Sequence, residues 1–316
     1  MSADRSVNIL FLGGAKRVAM ARLFKIAAAE RGLQCNIFSS EVVPNVPISC
    51  IGTVLDGLRW SDPDIYNHLL RLCDDHSIHI VIPFVDGAVA VAARLRELAP
   101  HVFAPTSSAE TAEAMFDKVR AAEIFEGCGL PAPATYKGGP VGTPLIAKPR
   151  HGSASQGILL INSDAELPLA EERDKYLIQQ RFDHREEISV DCYVSALSGE
   201  ALTIVPRRRL EVAGGEVVRS ITIDDPAAVE LVRHTLQCLG LRGAVTVQLI
   251  RDLDAGALYI MEINPRLGGG AVCAVHAGAD IPGMIIDEAR GIVHAAAAYR
   301  PGTEIARYMQ EVVFYN

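Results

Sequence analysis

Short apolar runs alternate with helix-period segments along the first third of the chain. Residues 7–12 read as a buried strand, and Gly13-Gly14 as the turn that follows it. Between residues 16 and 31 the apolar positions Val18, Ala19, Leu23, Ile26 and Ala27 recur with the period of a core-facing helix, which Gly32 ends. A strand over 35–39, a helix over 65–76, a strand over 78–83, a helix over 88–98 and a short strand over 102–104 complete a βαβα series. That order predicts a parallel, Rossmann-like sheet over residues 1–108.

The texture changes near Pro105. Thr106-Ser107-Ser108 supplies a helix cap, and a helix is predicted over 109–128, ending at Gly129. Strand-like runs then dominate: 144–149, 157–161, 176–180, 187–195, 202–206 and 216–223. A helix over 226–239, strands over 243–251 and 257–263, and a helix over 280–294 follow. The pattern predicts an α/β unit followed by an antiparallel α+β unit over 109–316, without internal repeats.

Composition narrows the chemistry. The chain has 316 residues and 49% hydrophobic residues, enough for two cores, and its 30 basic against 38 acidic side chains leave a net charge of −8. An acidic total argues against a general nucleic-acid binder. No apolar run approaches the ~20 residues of a membrane span, and polar residues 1–7 do not form a signal peptide. Seven cysteines (Cys35, Cys50, Cys73, Cys128, Cys192, Cys238 and Cys273) without close sequence pairs predict buried, reduced thiols in the cytoplasm.

Three segments carry candidate chemistry. Gly13-Gly14 after a strand suggests dinucleotide binding, but the third glycine of that fingerprint is absent, and Glu41 lies further on than the usual ~20 residues. Arg17, beside that turn, is a candidate for a substrate carboxylate. Lys148 ends a strand and precedes the small, hydroxylated loop His151-Gly152-Ser153-Ala154-Ser155-Gln156-Gly157, whose amides and hydroxyls suit phosphates. The Lys precedes the glycines, so this is not a Walker loop. Lys118 is a second candidate phosphate cation. Finally, Glu262 and Asn264 share one strand face, and Gln248 lies on the preceding strand of a hairpin. These oxygen donors suit Mg²⁺, and Arg266 and Gly268-Gly269-Gly270 follow directly.

Taken in order, Lys118, the Lys148 hairpin, Glu187-Ile188-Ser189-Val190-Asp191, Gln248 and Met261-Glu262-Ile263-Asn264-Pro265-Arg266 resemble the ATP-grasp enzymes, in the carbamoyl-phosphate-synthase-like and carboxylate–amine ligase branches. The resemblance implies a Rossmann-like pre-ATP-grasp domain (1–108) and a two-lobed ATP-grasp domain: a small lobe with the lid (109–176) and a large lobe with the metal site (177–316). It implies that Lys118 and Lys148 bind ATP phosphates and that Ser153, Ser155 and Gly157 belong to the loop closing over them. The 177–180 hinge, with Gln179 and Gln180, would hold adenine; Glu187 would hold the ribose. Gln248, Glu262 and Asn264 would hold one or two Mg²⁺, or Mn²⁺, with Asn264 also facing the nucleotide. Arg266 would stabilise the transferred phosphoryl group. Arg209 resembles the family's arginine facing the acyl phosphate, with Arg207 and Arg208 open as alternatives for that role. Where many relatives carry Glu in the hinge, this chain has Gln180.

The activity so implied is ATP-dependent ligation of a small-molecule carboxylate to an amine or ammonia through an acyl phosphate, releasing ADP and phosphate, with a homodimer compatible with the family. Asp86 is a candidate contact for the substrate amine, the competing reading being a helix N-cap. His276, with Ala277, Gly278 and Asp280, is a candidate for the acceptor pocket or for a helix-capping loop. The alternatives are a carbamoyl-phosphate-synthase-type half enzyme acting on bicarbonate or carbamate, a dehydrogenase built on the N-terminal glycines, and a regulatory protein that binds nucleotide without turnover.

Overall fold

The computed structural model describes residues 6–152, 156–214 and 216–315. β1 (Ser6–Leu12), α1 (Val18–Glu30), β2 (Gln34–Glu41), β3 (Thr53–Asp56), α2 (Ile65–Asp75), β4 (Ile80–Pro83) and α3 (Asp86–Leu98) build a four-stranded parallel sheet in the order β3-β2-β1-β4. β1 from Ile9 to Leu12 and β4 throughout are buried at every position because helices cover both faces. β3 has no buried residue and so left no apolar signal. The strand predicted over 102–104 narrows to one bridge, Phe103 to Ile80.

The helix predicted over 109–128 is two helices, α4 (Ala109–Phe116) and α5 (Lys118–Gly127). Asp117 breaks it. Its backbone is extended at φ −91°, ψ 101°, and its carboxylate accepts the amides of Val119 and Arg120. Asp offers the backbone a cap that competes with helix continuation.

β5 (Leu145–Pro149), β6 (Leu159–Ile161) and β7 (Tyr176–Gln180) form a small antiparallel sheet, ordered β6-β5-β7. The large sheet takes β8 (Arg185–Val194), β9 (Ala201–Ala213), β10 (Glu216–Thr222), β11 (Gly243–Asp252), β12 (Leu258–Asn264) and β13 (Glu304–Ala306). It is antiparallel, in the order β12-β11-β8-β9-β10-β13. α6 (Pro226–Cys238) packs on it, and α7 (Val272–His276) and α8 (Ile281–Glu288) follow β12. β9 runs far past the predicted 202–206 because Arg207, Arg208 and Arg209 continue the strand rather than end it. α8 stops at Glu288, short of the predicted 294, and Gly291 follows at φ +77°.

The first core ignores sequence distance. Phe11 and Phe24 from the parallel sheet side pack with Tyr193, Leu202 and Ile285. Arg31 at the end of α1 binds Asp287 at 2.7 Å and Asp280 at 2.9 Å, tying α1 to α8. Four cysteines are buried as expected, but Cys50, Cys128 and Cys238 are exposed, and Cys128 shares a hydrogen bond with Cys238. Among the described residues no helix is long and apolar enough to cross a membrane.

Candidate active site

A cavity of about 490 Å³ opens over the large sheet, bounded by the β5 side of the small sheet and by the turn after β12. Register builds its floor. Arg207 lies opposite Ser189, Ser189 opposite Gln248, and Gln248 opposite Glu262, forming one row across four strands. The neighbouring row on the same face carries Asp191, Thr246 and Asn264. A bulge between Gln248 and Leu249 adds Met261 to the lining beside Glu262.

The proposed metal ligands therefore meet. Asn264 Nδ2 donates to Glu262 Oε1 at 2.8 Å, and Arg266 Nη2 donates to Asn264 Oδ1 at 3.1 Å. Arg266 Nε in turn donates to Asp86 Oδ1 at 2.6 Å. Lys148 stands across the cavity on β5 and donates from Nζ to Gln179 Oε1 at 3.4 Å. Burial pushes its pKa down to about 8; Glu262 opposes that shift and nearby Lys118 reinforces it. Lys118 Nζ donates to the Gly152 carbonyl at 2.6 Å, so both lysines line the cavity at the glycine loop. Asp117 supports the loop from behind. Burial would raise its carboxyl, yet Arg150 and the Arg120 amide hold it below its usual value. Ser153 and Ser155 lie outside the described residues. Gly157, at φ +69°, ends the loop away from the cavity lining.

The hinge residues separate. Gln180 lines the cavity, whereas Gln179 is buried and donates Nε2 to the Pro133 carbonyl at 3.1 Å. Glu187 lines it too, paired with Arg209 at 3.1 Å and Arg185 at 3.5 Å. The arginine triplet alternates. Arg208 turns outward to Glu186, while Arg207 and Arg209 face the cavity. Arg209 stands with Glu187, and Arg207 with Gln248 and Glu262 in the metal row.

Of the three substrate candidates, Arg17 lines the cavity. Asp86 does not cap α3, whose N-cap is Val85 without a side-chain bond; its carboxylate is held by Arg266 instead. His276 is exposed at the end of α7 and outside the cavity lining. Asp280 caps α8 by accepting the Gly283 amide, the capping role weighed for that loop. At the N-terminal glycines, the amides of Gly14 and Ala15 are hydrogen-bonded by the Glu41 carboxylate, which burial holds above its usual pKa. The chain's own anion occupies the place a dinucleotide phosphate would need.

Sequence reasoning gave no site role to Asp191, Thr246 and Gly270. The parity was available: Asp191 shares a face with Glu187, and Thr246 with Gln248.

Comparison with known proteins follows the same line. The family profile described as "ATP-grasp in the biosynthetic pathway with Ter operon" matches residues 172–311. A D-alanine–D-alanine ligase of Marinobacter nauticus is 36% identical over 231 residues, spanning 64% of this chain and 69% of that protein. The chain belongs to the ATP-grasp family, in its carboxylate–amine ligase branch. Two solved ATP-grasp structures share the fold. The L-amino acid ligase of Bacillus licheniformis superposes with a TM-score of 0.67 at 18% identity, over 91% of this chain and 75% of that one. The biotin carboxylase domain of the Hydrogenobacter thermophilus 2-oxoglutarate carboxylase, solved with MgADP and bicarbonate, gives 0.72 at 18% identity, over 94% and 73%.

An ATP-grasp ligase is an ADP-forming C–N ligase that uses ATP with Mg²⁺. The donors here fit that ion. Glu262 supplies one carboxylate, Gln248 and Asn264 supply amide oxygens, and hard oxygen ligands are what Mg²⁺ takes. Among the described residues no group of three His, Cys, Asp or Glu side chains could hold a metal.

Proposed function

We propose that this cavity joins a small carboxylic acid to an amine or ammonia, with ATP activating the acid. The row Arg207–Ser189–Gln248–Glu262, facing Lys148, carries the reading: it sets a cation cluster and an oxygen-donor set on opposite walls of one cavity. Gln180 and the 177–180 hinge hold adenine, and Glu187 holds the ribose. Lys118 and Lys148 hold the phosphates; the loop carrying Ser153, Ser155 and Gly157, expected from the sequence to close over them, has its serines outside the described residues. Gln248, Glu262 and Asn264 hold Mg²⁺, which would neutralise phosphate charge when bound.

A carboxylate resists an amine because its oxygen is a poor leaving group. Transfer of the γ-phosphoryl group makes an acyl phosphate, and the work required is positioning and charge stabilisation rather than covalent catalysis. Arg266, fixed from one side by Asp86 and from the other by Asn264, directs its guanidinium at the transferred group. Arg207 serves the acid from the metal row. The amine then attacks the acyl carbon and phosphate departs.

The proposal divides the chain into a pre-ATP-grasp domain (1–108) and lobes over 109–176 and 177–316. It allows one or two Mg²⁺, with Mn²⁺ as substitute, since both are hard cations that oxygen donors accept. Free thiols support a reducing, cytoplasmic setting.

The test is a matrix of acids and amines followed by ADP release and product mass. The expected result is ADP and phosphate released together, acid-dependent, with a product weighing the sum of acid and amine less water. Acid-independent ADP release, or none across the matrix, would remove the reading.

A further inference from the structure

Each glycine of the turn after β12 makes room for one side chain. A Cβ on Gly268 would lie 2.6 Å from Thr246 Oγ1, one on Gly269 would lie 3.0 Å from Arg17 Nη1, and one on Gly270 would overlap the Arg207 guanidinium. Two arginines from opposite ends of the fold thus approach consecutive residues of a single turn. Arg17 comes from the N-cap of α1 and passes over the Phe84 ring, its Cζ 5.9 Å from the centroid. Arg207 comes from β9 in the large sheet. Arg307, beyond β13, donates to the Gly269 carbonyl and fixes the turn between them. Both Arg17 and Arg207 line the cavity.

The Arg207 side chain is 3% exposed and spends Nε on Asp191 Oδ2 at 2.6 Å, while its buried Nη1 has no partner among the described residues. Asp191 Oδ1 is already taken by Thr246 Oγ1 at 2.9 Å, and Thr246 Oγ1 accepts the Gly268 amide at 3.1 Å. The network therefore clamps the guanidinium in place and leaves its Nη1 without a partner among the described residues, a costly arrangement. The acidic residues among the described cavity lining are Glu187 and Glu262. The first is engaged by Arg209 and Arg185, and the second lies among the metal donors. Among the described lining residues, the Gly269-Gly270 end of the cavity carries guanidinium groups and no carboxylate.

We infer that Arg17 and Arg207 form a second anion subsite, so that the acid substrate is a dianion: one carboxylate is phosphorylated, and a second anionic group sits on the two guanidiniums at Gly269-Gly270. This deepens the ligase reading and rests on it. A guanidinium pair discriminates because charge-assisted, two-pronged hydrogen bonds to an anion are lost when that group becomes a neutral amide, and the buried donor is then left unmet. Arg17 is the specificity-determining member supplied by the parallel-sheet side of the molecule.

The experiment measures binding apart from turnover. The full chain, saturated with Mg²⁺ and a non-hydrolysable ATP analogue, is titrated with succinate, glutarate and adipate and with their half-amides, reading thermal protection and calorimetric affinity. At least one dianion binds about tenfold or more tighter than its half-amide. The R17A protein loses that preference, and R207K, which keeps the charge beside Asp191, weakens it. Half-amides binding as well as their parent acids, no dianion binding, or an unchanged preference in R17A would each overturn the inference. Acid-dependent ADP release without dianion preference would leave the ligase reading standing and remove this one. Dianion preference without ADP release for any amine would keep the anion subsite but remove the ligase reading and, with it, the assignment of the dianion as the acid substrate.

Discussion

Arg266 and Asp86 meet across 180 residues: Arg266 Nε donates to Asp86 Oδ1 at 2.6 Å. Arg266 is 16% exposed and Asp86 35%, so the pair sits at the cavity margin with its arginine inward. Asn264 accepts from the same guanidinium, and Asp86 heads α3 on the parallel-sheet side. One bond joins the first α/β layer to the strand end that carries the metal donors.

Asp86 therefore acts through Arg266. D86N keeps the shape but loses the charge that orients the guanidinium. Turnover is expected to fall roughly 10- to 100-fold, the scale of a small misplacement at a reacting group, with the KM for ATP little changed. Steady-state ADP release checks it. An equal rise in the KM for ATP with kcat intact would count against the assignment.

Glu262 is the carboxylate proposed for the metal set and lines the cavity. E262Q keeps an oxygen donor and removes the charge, so acid-dependent ADP release should fall about 100-fold or more. The Mg²⁺ concentration for half-maximal activity should rise in parallel. A Mg²⁺ titration of the variant with unchanged midpoint would place the ion elsewhere.

Lys148 gives a pH prediction. Burial lowers its pKa from 10.5 to about 8 in the nucleotide-free fold. Between about 8 and 10.5 the unfolded chain holds this proton more tightly, so Lys148 makes stability rise with pH across that window. A bound phosphate favours the charged amine, so nucleotide binding takes up a proton near pH 8. Affinity for ATP should fall as pH rises through about 8, and K148Q should bind ATP weakly with a flatter profile. Calorimetry in two buffers of different ionisation enthalpy reads the proton directly.

Asp117 separates α4 from α5 and caps the second. Its side chain is 15% exposed and also holds Arg150. D117A should lower the unfolding free energy by about 1–2 kcal/mol, the usual worth of a cap, without changing the denaturant slope. Chemical denaturation followed by circular dichroism measures it. A stability equal to wild type would mean that the helix break does not depend on the cap.

Legibility followed period and chemistry. β1, α1, α2, α6, β11 and β12 were readable because each carries enough apolar residues on its buried positions to mark its period. β3 was not, having no buried side chain, and the far half of β9 was hidden by Arg207-Arg208-Arg209. The triplet reads as a solvated charge run until the sheet buries its first member against Asp191. That Glu262 and Asn264 share a cavity-facing side was legible because they stand two apart on one strand beside a glycine turn. For His276 the sequence left two readings open, and the structure puts it outside the cavity lining beside the loop in which Asp280 caps α8, because nothing local distinguishes a cavity-lining loop from one that caps a helix.

By itself, then, the order of residues determined the parallel sheet, the glycine loop after Lys148, the oxygen-donor strand and the ATP-grasp resemblance, since all of these are written in spacings of a few residues. Pairings over long separations were decided by tertiary structure alone: Arg266 with Asp86, α8 with α1, and Arg17 beside Arg207 at one turn. The physical reason is that strand register and core packing, rather than any local pattern, bring such residues together. Which of three consecutive arginines enters the metal row depends on how β9 aligns with β8, and a shift of one residue would have exchanged Arg207 for Arg208.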